Sequence, residues 1–403
     1  MTDPATGATQ IARALRIFIV AGEHSGDALG AKLMAAIAML YPGPIEYEGV
    51  GGDLMEAAGL HSLFPMSDVA VMGVGAILKR LRPIVQRVYR TIDAGLAFDP
   101  DVVVIIDAPE FTHAIAKRIR RKKPEIPIVD YVSPTVWAWR PGRARAMRPY
   151  VDHLLALLPF EPEAHRRLGG PVCTYVGHPL AERIEELRRL DPAPLAARLG
   201  LDREKPVLVV LPGSRRSEIG RLLEVFRQTT ERLCTDAGSA PEIIIPVVSS
   251  VREMIEESLP RWTTRPHLVF GEDDKWQAFR LATAALAASG TVTLELAVAD
   301  TPMAIAYKVE PWTAPFLRRL IKIDQAGLPN LILGEKLFPE FIQENATPEA
   351  MAAALRPLLS DTPVRDRQLA GLSRIPERLA IPHGSPSETA ARIVLEEAAK
   401  RVR

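Results

Sequence analysis

The chain has 403 residues, of which 47% are hydrophobic and 25% charged, so it can form two domains with sizeable cores. A formal net charge of +1 gives no overall basic field and argues against a nucleic-acid-binding protein. Cys173 and Cys234 lie far apart without companions at metal-ligand spacing, so we expect a reduced cytoplasmic protein with no metal and no cofactor. No apolar run reaches the roughly 18 residues of a membrane span, so any membrane contact should be peripheral.

Short apolar runs alternate with helical patterns along the chain, which is typical of parallel sheets covered by helices. The segment 187–194 combines two prolines with clustered charges, so we place a boundary there between domains 1–186 and 187–403. The second domain is expected to include a C-terminal helix. The predicted fold class is α/β, with two doubly wound, Rossmann-like domains facing a central cleft. The predicted strands are 17–21, 102–106, 128–132, 207–211, 242–248, 267–270, 284–288 and 302–308.

The first predicted strand ends in a glycine-rich loop. Glycines recur at Gly22, Gly26 and Gly30, whereas a dinucleotide-binding turn needs the spacing G-x-G-x-x-G. A pyrophosphate at this turn would also meet the carboxylates of Glu23 and Asp27. We therefore predict that a nucleotide binds elsewhere in the chain.

An amphipathic helical pattern occupies residues 77–90, and basic residues surround its apolar face. Such a helix commonly covers a core, but the same pattern is used by helices that lie on anionic lipid. A second candidate for lipid contact is the segment 311–320, in which aromatic residues precede two arginines. The residues of the candidate membrane patch are Val69, Val71, Met72, Val74, Ile77, Leu78 and Leu81.

Asp107 directly follows the predicted strand 102–106, and Pro109 suits the first position of a following helix. A carboxylate at a strand's carboxyl end can act as a general base on an attacking hydroxyl. Asp107 could equally cap the helix, because Asp is favoured at N-caps. Glu110 could form a carboxylate pair with it, or simply favour the helix dipole, and His113 is expected to be a surface or packing residue.

Two tryptophans, Trp137 and Trp139, stand beside Arg140 and further arginines. This segment could recognise a sugar phosphate, or it could be a packed helix with a solvated basic face. The residues alone leave both interpretations open.

Two loops in the second half have features that suit phosphate. The strand 207–211 runs into Gly213, Ser214 and Arg215, which offer backbone N–H groups and a guanidinium. The strand 284–288 is followed by a second such loop and by a glutamate that could accept hydrogen bonds from a ribose diol. Two such loops in one domain predict a nucleotide site there. Its other candidate residues are Ser289, Gly290, Thr291, Glu295, Asn330 and Gln343.

Ten motifs occur in order between about Ile17 and Gln343, and together they resemble the lipid-A-disaccharide synthase family, bacterial glycosyltransferases of the GT-B architecture. The motifs are AGEHSGDALGA, YEGVGGDLMEAAG, VAVMGVGAIL, IDAPEF, YVSPTVWAWR, LPFE, VGHPL, LPGSR, ASGTVTLE and LPNLI.

The resemblance implies an inverting transfer of 2,3-diacylglucosamine from its UDP derivative to the 6-hydroxyl of 2,3-diacylglucosamine 1-phosphate, lipid X. The products are UDP and a β-1,6-linked disaccharide 1-phosphate. It implies UDP-sugar binding in the C-terminal domain without a metal, allows a homodimer, and places the enzyme on the cytoplasmic face of the inner membrane.

By the same resemblance Asp107 is the base, and the acceptor contacts are Glu23, Ser25, Asp27, Trp139 and Arg140. The sequence departs from the common family pattern at His24, Glu110 and Thr112, which concerns acceptor contacts and leaves open whether His24 or Glu110 assists Asp107. Two other functions stay open: a UDP-N-acetylglucosamine 2-epimerase or another GT-B enzyme, and a nucleotide-sensing protein without catalysis.

Overall fold

A computed structural model describes residues 13–69, 74–236, 240–309, 325 and 327–402; of residues 74–81, 235–236 and 402 it describes only the backbone. The chain forms two compact units. The first contains residues 1–179 together with 381–403, and the second contains residues 180–380. Both are α/β units with parallel sheets, so the predicted fold class is confirmed.

The first unit is built on a seven-stranded parallel sheet in the order β3-β2-β1-β4-β5-β6-β7. Its central strands are runs of apolar, mostly β-branched residues with almost no exposed surface, because helices cover both faces. The strands are Leu15–Ala21 (β1), Ile45–Val50 (β2), His61–Ser62 (β3), Val102–Ile106 (β4), Ile128–Tyr131 (β5), His153–Ala156 (β6) and Val172–Tyr175 (β7).

The helices of the first unit connect successive strands and cover the sheet. In chain order they are His24–Leu40 (α1), Asp53–Ala57 (α2), Val74–Phe98 (α3), Pro109–Lys122 (α4), Gly142–Met147 (α5) and Glu161–Leu168 (α6). Two buried clusters, one on each face of the sheet, form the core of this unit. Because β1, β4 and β5 are parallel, their C-terminal ends lie at the same end of the sheet. Ligands bind at this end of the sheet in doubly wound folds.

The second unit has a six-stranded parallel sheet in the order β10-β9-β8-β11-β12-β13. The strands are Val207–Leu211 (β8), Glu242–Val247 (β9), His267–Phe270 (β10), Ala284–Ala288 (β11), Met303–Tyr307 (β12) and Glu340–Ile342 (β13). The helices are Ile184–Arg189 (α7), Ala193–Leu199 (α8), Arg216–Asp236 (α9), Arg252–Ser258 (α10), Glu272–Leu281 (α11), Thr291–Val298 (α12), Leu328–Leu333 (α13), Pro348–Leu355 (α14), Pro363–Leu372 (α15) and Ile375–Leu379 (α16).

The last helix, Pro386–Val402 (α17), belongs to the first unit. Its buried face, which includes Ala390 and Val394, joins the same core as β1 and α1. Glu397 is buried and accepts a hydrogen bond from the His153 ring at 3.1 Å, which ties the helix to β6. The structure therefore divides the chain after Pro179, whereas the sequence analysis placed the boundary after residue 186. The C-terminal helix belongs to the first unit and not to the second domain, where the sequence analysis placed it.

Within the described ranges, no helix has both the length and the apolar character needed to cross a membrane. Most of the candidate membrane patch falls outside what the structure describes: this holds for Val71 and Met72, for the side chains of Val74, Ile77, Leu78 and Leu81, and for the segment 311–320. Val69 is described and is partly buried against the core. Further along α3, the side chains of Val85 and Tyr89 are 43% and 51% exposed.

Candidate active site

Backbone strain is concentrated where β4 and β5 end. Asp107 and Ala108 have φ angles of 51° and 43°, Val132 directly after β5 has 88°, and Arg140 has 53°. Non-glycine residues in this region cost on the order of 1–3 kcal/mol each, and a β-branched valine is especially disfavoured. Such strain persists only where the surrounding structure enforces it, and it marks these two adjacent strand ends as a candidate functional site.

Asp107 is held by its backbone and keeps its carboxylate partly exposed. Its main-chain N–H donates to the Tyr131 carbonyl at 3.1 Å, and the Thr112 hydroxyl donates to its carbonyl at 2.7 Å. One carboxylate oxygen accepts the Ala108 N–H at 2.8 Å, and the other accepts the Ser25 hydroxyl at 3.3 Å. Ala108, not Asp107, is the N-cap residue of α4, so the capping alternative is wrong.

The glycine-rich loop after β1 lies directly against this aspartate. A Cβ placed on Gly22 would come within 2.6 Å of the Ala108 Cβ, so only glycine allows the two loops to approach. Ser25 touches Asp107 from this side, Glu23 is the partly buried N-cap of α1, and His24 is exposed. The loop and the start of α1 therefore place polar side chains beside Asp107 in the same site.

Asp27, predicted as an acceptor contact, has a different role. It is 5% exposed, and its carboxylate accepts the N–H groups of Gly52, Leu54 and Met55 at 2.9, 3.2 and 3.0 Å. These are the amides at the start of α2, which otherwise lack partners. Asp27 thus caps a neighbouring helix and is no longer assigned to the acceptor. The sequence missed this because α2 is 26 residues away from Asp27.

Glu110 is paired with Arg143 on α5 and lies near Arg140 in the loop between β5 and α5. The Arg143 guanidinium donates to both of its carboxylate oxygens at 2.9 and 3.2 Å, and Arg140 lies 4.0 Å away. Arg140 also stacks on Trp139, with its guanidinium carbon 4.0 Å from the ring centroid. These contacts join α4 to the loop after β5 and leave a basic, aromatic surface beside Asp107.

A buried polar network missed by sequence reasoning supports that loop. Glu161, 3% exposed, accepts the Trp137 indole N–H at 3.2 Å and the Leu158 N–H at 3.0 Å. The Ser133 hydroxyl lies 2.9 Å from the His165 ring. Burial raises the pKa of Glu161 to about 7, against the lowering effect of its hydrogen bonds. Trp137 is therefore a packed residue, although it lies in a turn and not in the helix that one of the two open interpretations assumed.

In the second unit, the loop after β8 presents backbone N–H groups to an anion. Glu218, in the first turn of α9, accepts the Ser214 N–H at 3.1 Å and the Arg215 N–H at 3.4 Å. The Arg215 guanidinium approaches the same carboxylate at 3.3 Å. Gly213 has a φ of 123°, which permits the turn. Because the Glu218 carboxylate already accepts hydrogen bonds from these N–H groups, the loop is suited to bind a negatively charged group.

The loop after β11 leads into α12. Gly290 is the N-cap residue of this helix and Thr291 its first residue, while Ser289 donates its N–H to the Ala306 carbonyl at 2.8 Å. Glu295, one turn along, lies 3.1 Å from the ammonium of Lys275. Burial raises the pKa of Glu295 and the Lys275 charge lowers it. Lys275 is a neighbour that the sequence did not reveal, because it lies on α11.

Two further residues that were predicted to contact the nucleotide, Asn330 and Gln343, form hydrogen bonds with other residues of the second unit. Asn330, 1% exposed, accepts the N–H groups of Leu337 and Phe338 at 2.9 Å and donates to the Phe338 carbonyl at 2.8 Å and to Glu340 at 2.6 Å. It braces the turn before β13, and its assignment to UDP is corrected. The side-chain amide oxygen of Gln343 accepts the Val309 N–H at 2.8 Å, which ties this side chain to the segment that follows β12.

Comparison with known families gives one match along almost the whole chain. The family model described as lipid-A-disaccharide synthetase matches residues 17–394. The lipid-A-disaccharide synthase of Rhodopseudomonas palustris strain HaA2 is 52% identical over 380 residues, covering 94% of this chain and 95% of the relative. That of Gluconobacter oxydans is 41% identical over 399 residues, covering 98% and 94%.

Solved structures share the fold at low sequence identity. The UDP-N-acetylglucosamine 2-epimerase of Rickettsia bellii is 14% identical with a TM-score of 0.62, covering 96% of this chain and 97% of the other. A glycosyltransferase from Rickettsia africae is 10% identical with a TM-score of 0.60, covering 97% and 99%. These structures support the fold class, and the sequence relatives decide the family. The chain belongs to the lipid-A-disaccharide synthase family and is a glycosyltransferase of lipid A disaccharide synthesis.

Proposed function

We propose that this chain transfers 2,3-diacylglucosamine from UDP-2,3-diacylglucosamine to the 6-hydroxyl of lipid X, with Asp107 as the general base. The observation that carries the proposal is the partly exposed Asp107 carboxylate, fixed at a strained strand end beside Ser25 in a chain of this family. A base must lie within hydrogen-bond reach of the proton that it removes, and a rigid strand end provides that position.

The reaction needs one base and one leaving-group site. Asp107 takes the proton of the acceptor 6-hydroxyl while the oxygen of that hydroxyl attacks the anomeric carbon of the donor. The new C–O bond forms as the bond to the diphosphate breaks, and UDP departs with the electron pair. Direct attack inverts the anomeric centre, which gives the β-1,6 linkage. The proton on Asp107 then passes to solvent.

The second unit is proposed to hold UDP. Backbone N–H groups of Ser214 and Arg215 together with the Arg215 guanidinium would bind the diphosphate, replacing the Glu218 carboxylate. Gly290 and Thr291 would add the start of α12, where developing negative charge is stabilised. Glu295 would accept hydrogen bonds from the ribose diol.

The acceptor is proposed to lie on the first unit. Glu23 and Ser25 would contact its sugar hydroxyls, and the basic surface of Trp139 and Arg140 would meet its 1-phosphate. Each substrate sugar carries two acyl chains, and burying a methylene gains about 0.8 kcal/mol. The exposed Val85 and Tyr89 on α3 support a peripheral contact with the cytoplasmic face of the inner membrane.

The test is a mixed-micelle assay with UDP-2,3-diacylglucosamine and lipid X, in which UDP release and lipid mass are followed together. The expected product is a disaccharide 1-phosphate that forms only with acceptor. Asp107→Asn should lose at least 100-fold in turnover, on the order of a general base's contribution, and keep its affinity for UDP. Glu163→Gln is the matched control, because Glu163 is an exposed carboxylate of the same unit that is paired with Arg166.

Two outcomes would overturn the proposal. Full activity in Asp107→Asn would remove this residue as the base. Conversion of UDP-N-acetylglucosamine to its 2-epimer, with no disaccharide formed from lipid X, would assign the chain to the epimerase activity instead.

A further inference from the structure

The segment that carries Trp139 and Arg140 is irregular and strained at both ends. Residues 132–141 connect β5 to α5 and contain one turn but no helix or strand. Val132 has a φ of 88° and Arg140 has a φ of 53°. Because non-glycine residues disfavour positive φ angles, such a conformation persists only where neighbouring groups enforce it.

Two side chains of α6 contact this segment. Glu161 and His165 are four residues apart, so they lie on the same face of the helix, and both are buried. Glu161 accepts the Trp137 indole N–H at 3.2 Å, and the His165 ring lies 2.9 Å from the Ser133 hydroxyl. The Trp137 ring also packs edge-to-face against Phe160, with 5.1 Å between the ring centroids. The segment is therefore attached to this end of α6 through two hydrogen bonds and one aromatic contact.

The buried position of Glu161 suits a carboxylate better than an amide. Its Oε1 atom accepts from Trp137, and its Oε2 atom accepts the Leu158 N–H at 3.0 Å. A glutamine has only one acceptor oxygen, so its NH2 group would face one of these two donors. A buried N–H without an acceptor is costly, and both donors here need an oxygen.

The positions of Trp139 and Arg140 depend on this attachment. Both follow Trp137 closely in the chain, and the Trp139 N–H donates to the Thr135 carbonyl at 3.0 Å within the same segment. The exposed Arg140 stacks on Trp139 and lies 4.0 Å from the exposed carboxylate of Glu110. An exposed ion pair at this distance contributes little, so the buried contacts with α6 determine where the segment lies.

We propose that Glu161 is a positioning residue that fixes the surface of Trp139 and Arg140 for the 1-phosphate of lipid X. The inference rests on the proposed function. Glu161 is buried and acts through its hydrogen bond to Trp137. Loss of this bond lets the segment move, which weakens acceptor binding. The position of Asp107 is kept, because its backbone is held by other groups.

The test is a steady-state assay of the full chain in mixed micelles, with lipid X and the donor varied in turn. Burial raises the pKa of Glu161 to about 7, so the assay is run at pH 8, where its carboxylate is ionised. Trp137→Phe removes the indole N–H and keeps an aromatic ring beside Phe160. We expect KM for lipid X to rise about fivefold, with kcat within about twofold of the wild type and KM for the donor unchanged.

The division between KM and kcat separates positioning from stability. A purely structural role would reduce the fraction of folded enzyme, which lowers kcat and leaves KM for lipid X at the wild-type value. That result would overturn the inference.

Glu161→Gln tests the same contact from the other side, and it replaces Trp137→Phe if that variant does not fold. It should also raise KM for lipid X. If both substitutions act through one hydrogen bond, the double variant should raise KM less than the product of the two single effects. Independent effects that multiply in the double variant would contradict the proposal.

Glu397→Gln is the matched control. Glu397 is also a buried glutamate of the first unit, and its carboxylate accepts from the His153 ring at 3.1 Å. His153 begins β6, whereas residues 132–141 follow the C-terminal end of the parallel strand β5. This variant should keep the wild-type KM for lipid X, and a rise equal to that of Trp137→Phe would show a general loss of packing instead.

The two proposals fail in distinguishable ways. If the wild type forms no disaccharide from lipid X, the proposed function fails. Arg140→Ala removes the proposed phosphate contact itself and should raise KM for lipid X at least as much as Trp137→Phe. If Arg140→Ala raises KM and Trp137→Phe does not, only the role of Glu161 fails.

Discussion

The carboxylate of Glu218 accepts the backbone N–H of Ser214 at 3.1 Å and so occupies the turn that is proposed to receive the diphosphate of UDP. Glutamate at the third position of a helix commonly reaches back in this way, which satisfies amides that the helix leaves free. Here the same contact places a negative charge where the ligand's charge would lie. In the proposed complex, binding of UDP therefore includes the displacement of Glu218.

Glu218→Gln should bind UDP more tightly. The variant keeps an oxygen that can accept from the amides but removes the competing charge, and the expected gain in affinity is about threefold. Isothermal titration with UDP measures it. Glu253→Gln removes an exposed carboxylate near Arg216 and serves as the control, so an equal gain in both variants would point to net charge alone.

Arg215→Ala should weaken UDP binding by about tenfold, because charge-assisted hydrogen bonds to phosphate are strong. The same titration reports the loss. Arg216→Ala, at the first residue of α9 and with an exposed side chain, is the control. If both substitutions have the same effect, the guanidinium of Arg215 does not contact the diphosphate.

Glu295→Gln should reduce the preference for a ribose over a 2′-deoxyribose. A carboxylate accepts hydrogen bonds from both hydroxyls of the diol, so the ratio of the affinities for UDP and 2′-deoxy-UDP should fall about fivefold in the variant. Glu272→Gln also removes a partner of Lys275 at 2.9 Å and controls for a disturbed lysine. A ratio that stays at the wild-type value would remove Glu295 from the ribose.

Glu161 should make the stability of the protein depend on pH. Its pKa is about 7 in the folded protein against an ordinary 4.5, so folding favours the protonated form. The stabilisation is fully present below pH 4.5 and is lost as the pH rises through about 7. Between pH 4.5 and 8 the expected loss in the free energy of unfolding is about 3 kcal/mol.

Denaturant unfolding followed by tryptophan fluorescence measures this loss. Glu161→Gln cannot ionise and should show a smaller decrease between pH 5 and pH 8 than the wild type. Glu163→Gln, which removes an exposed carboxylate paired with Arg166, should keep the wild-type decrease. Equal slopes for the wild type and Glu161→Gln would show that Glu161 does not titrate in this range.

The sequence predicted the alternation of strands and helices, the two sheets and the strand-end position of Asp107. It did not predict β2, β3, β6, β7 and β13, because these strands are short or mix polar with apolar residues. Local patterns reveal strands best where both faces are buried, as in β4 and β8.

The errors in the candidate site have one physical origin. Asp27 and Asn330 are polar residues within family motifs, and both turn out to be buried near the start of a helix and to bond backbone groups of another segment. A short sequence window shows a polar side chain but not the unpaired amides that it satisfies. Glu161 was missed for the same reason, since its partner Trp137 comes from another segment of the chain.

Helix α17 completes the core of the first unit, but it is synthesised after the whole of the second unit. Residues 180–380 form an uninterrupted unit inserted into the other, and the chain leaves and re-enters the first unit at one place: a Cβ on Gly177 would lie 3.0 Å from the Ile381 side chain. During synthesis the second unit is complete while the first still lacks a helix of its core. The core of the unit proposed to carry the base therefore cannot be completed until α17, which follows the whole of the second unit in the chain, has been made.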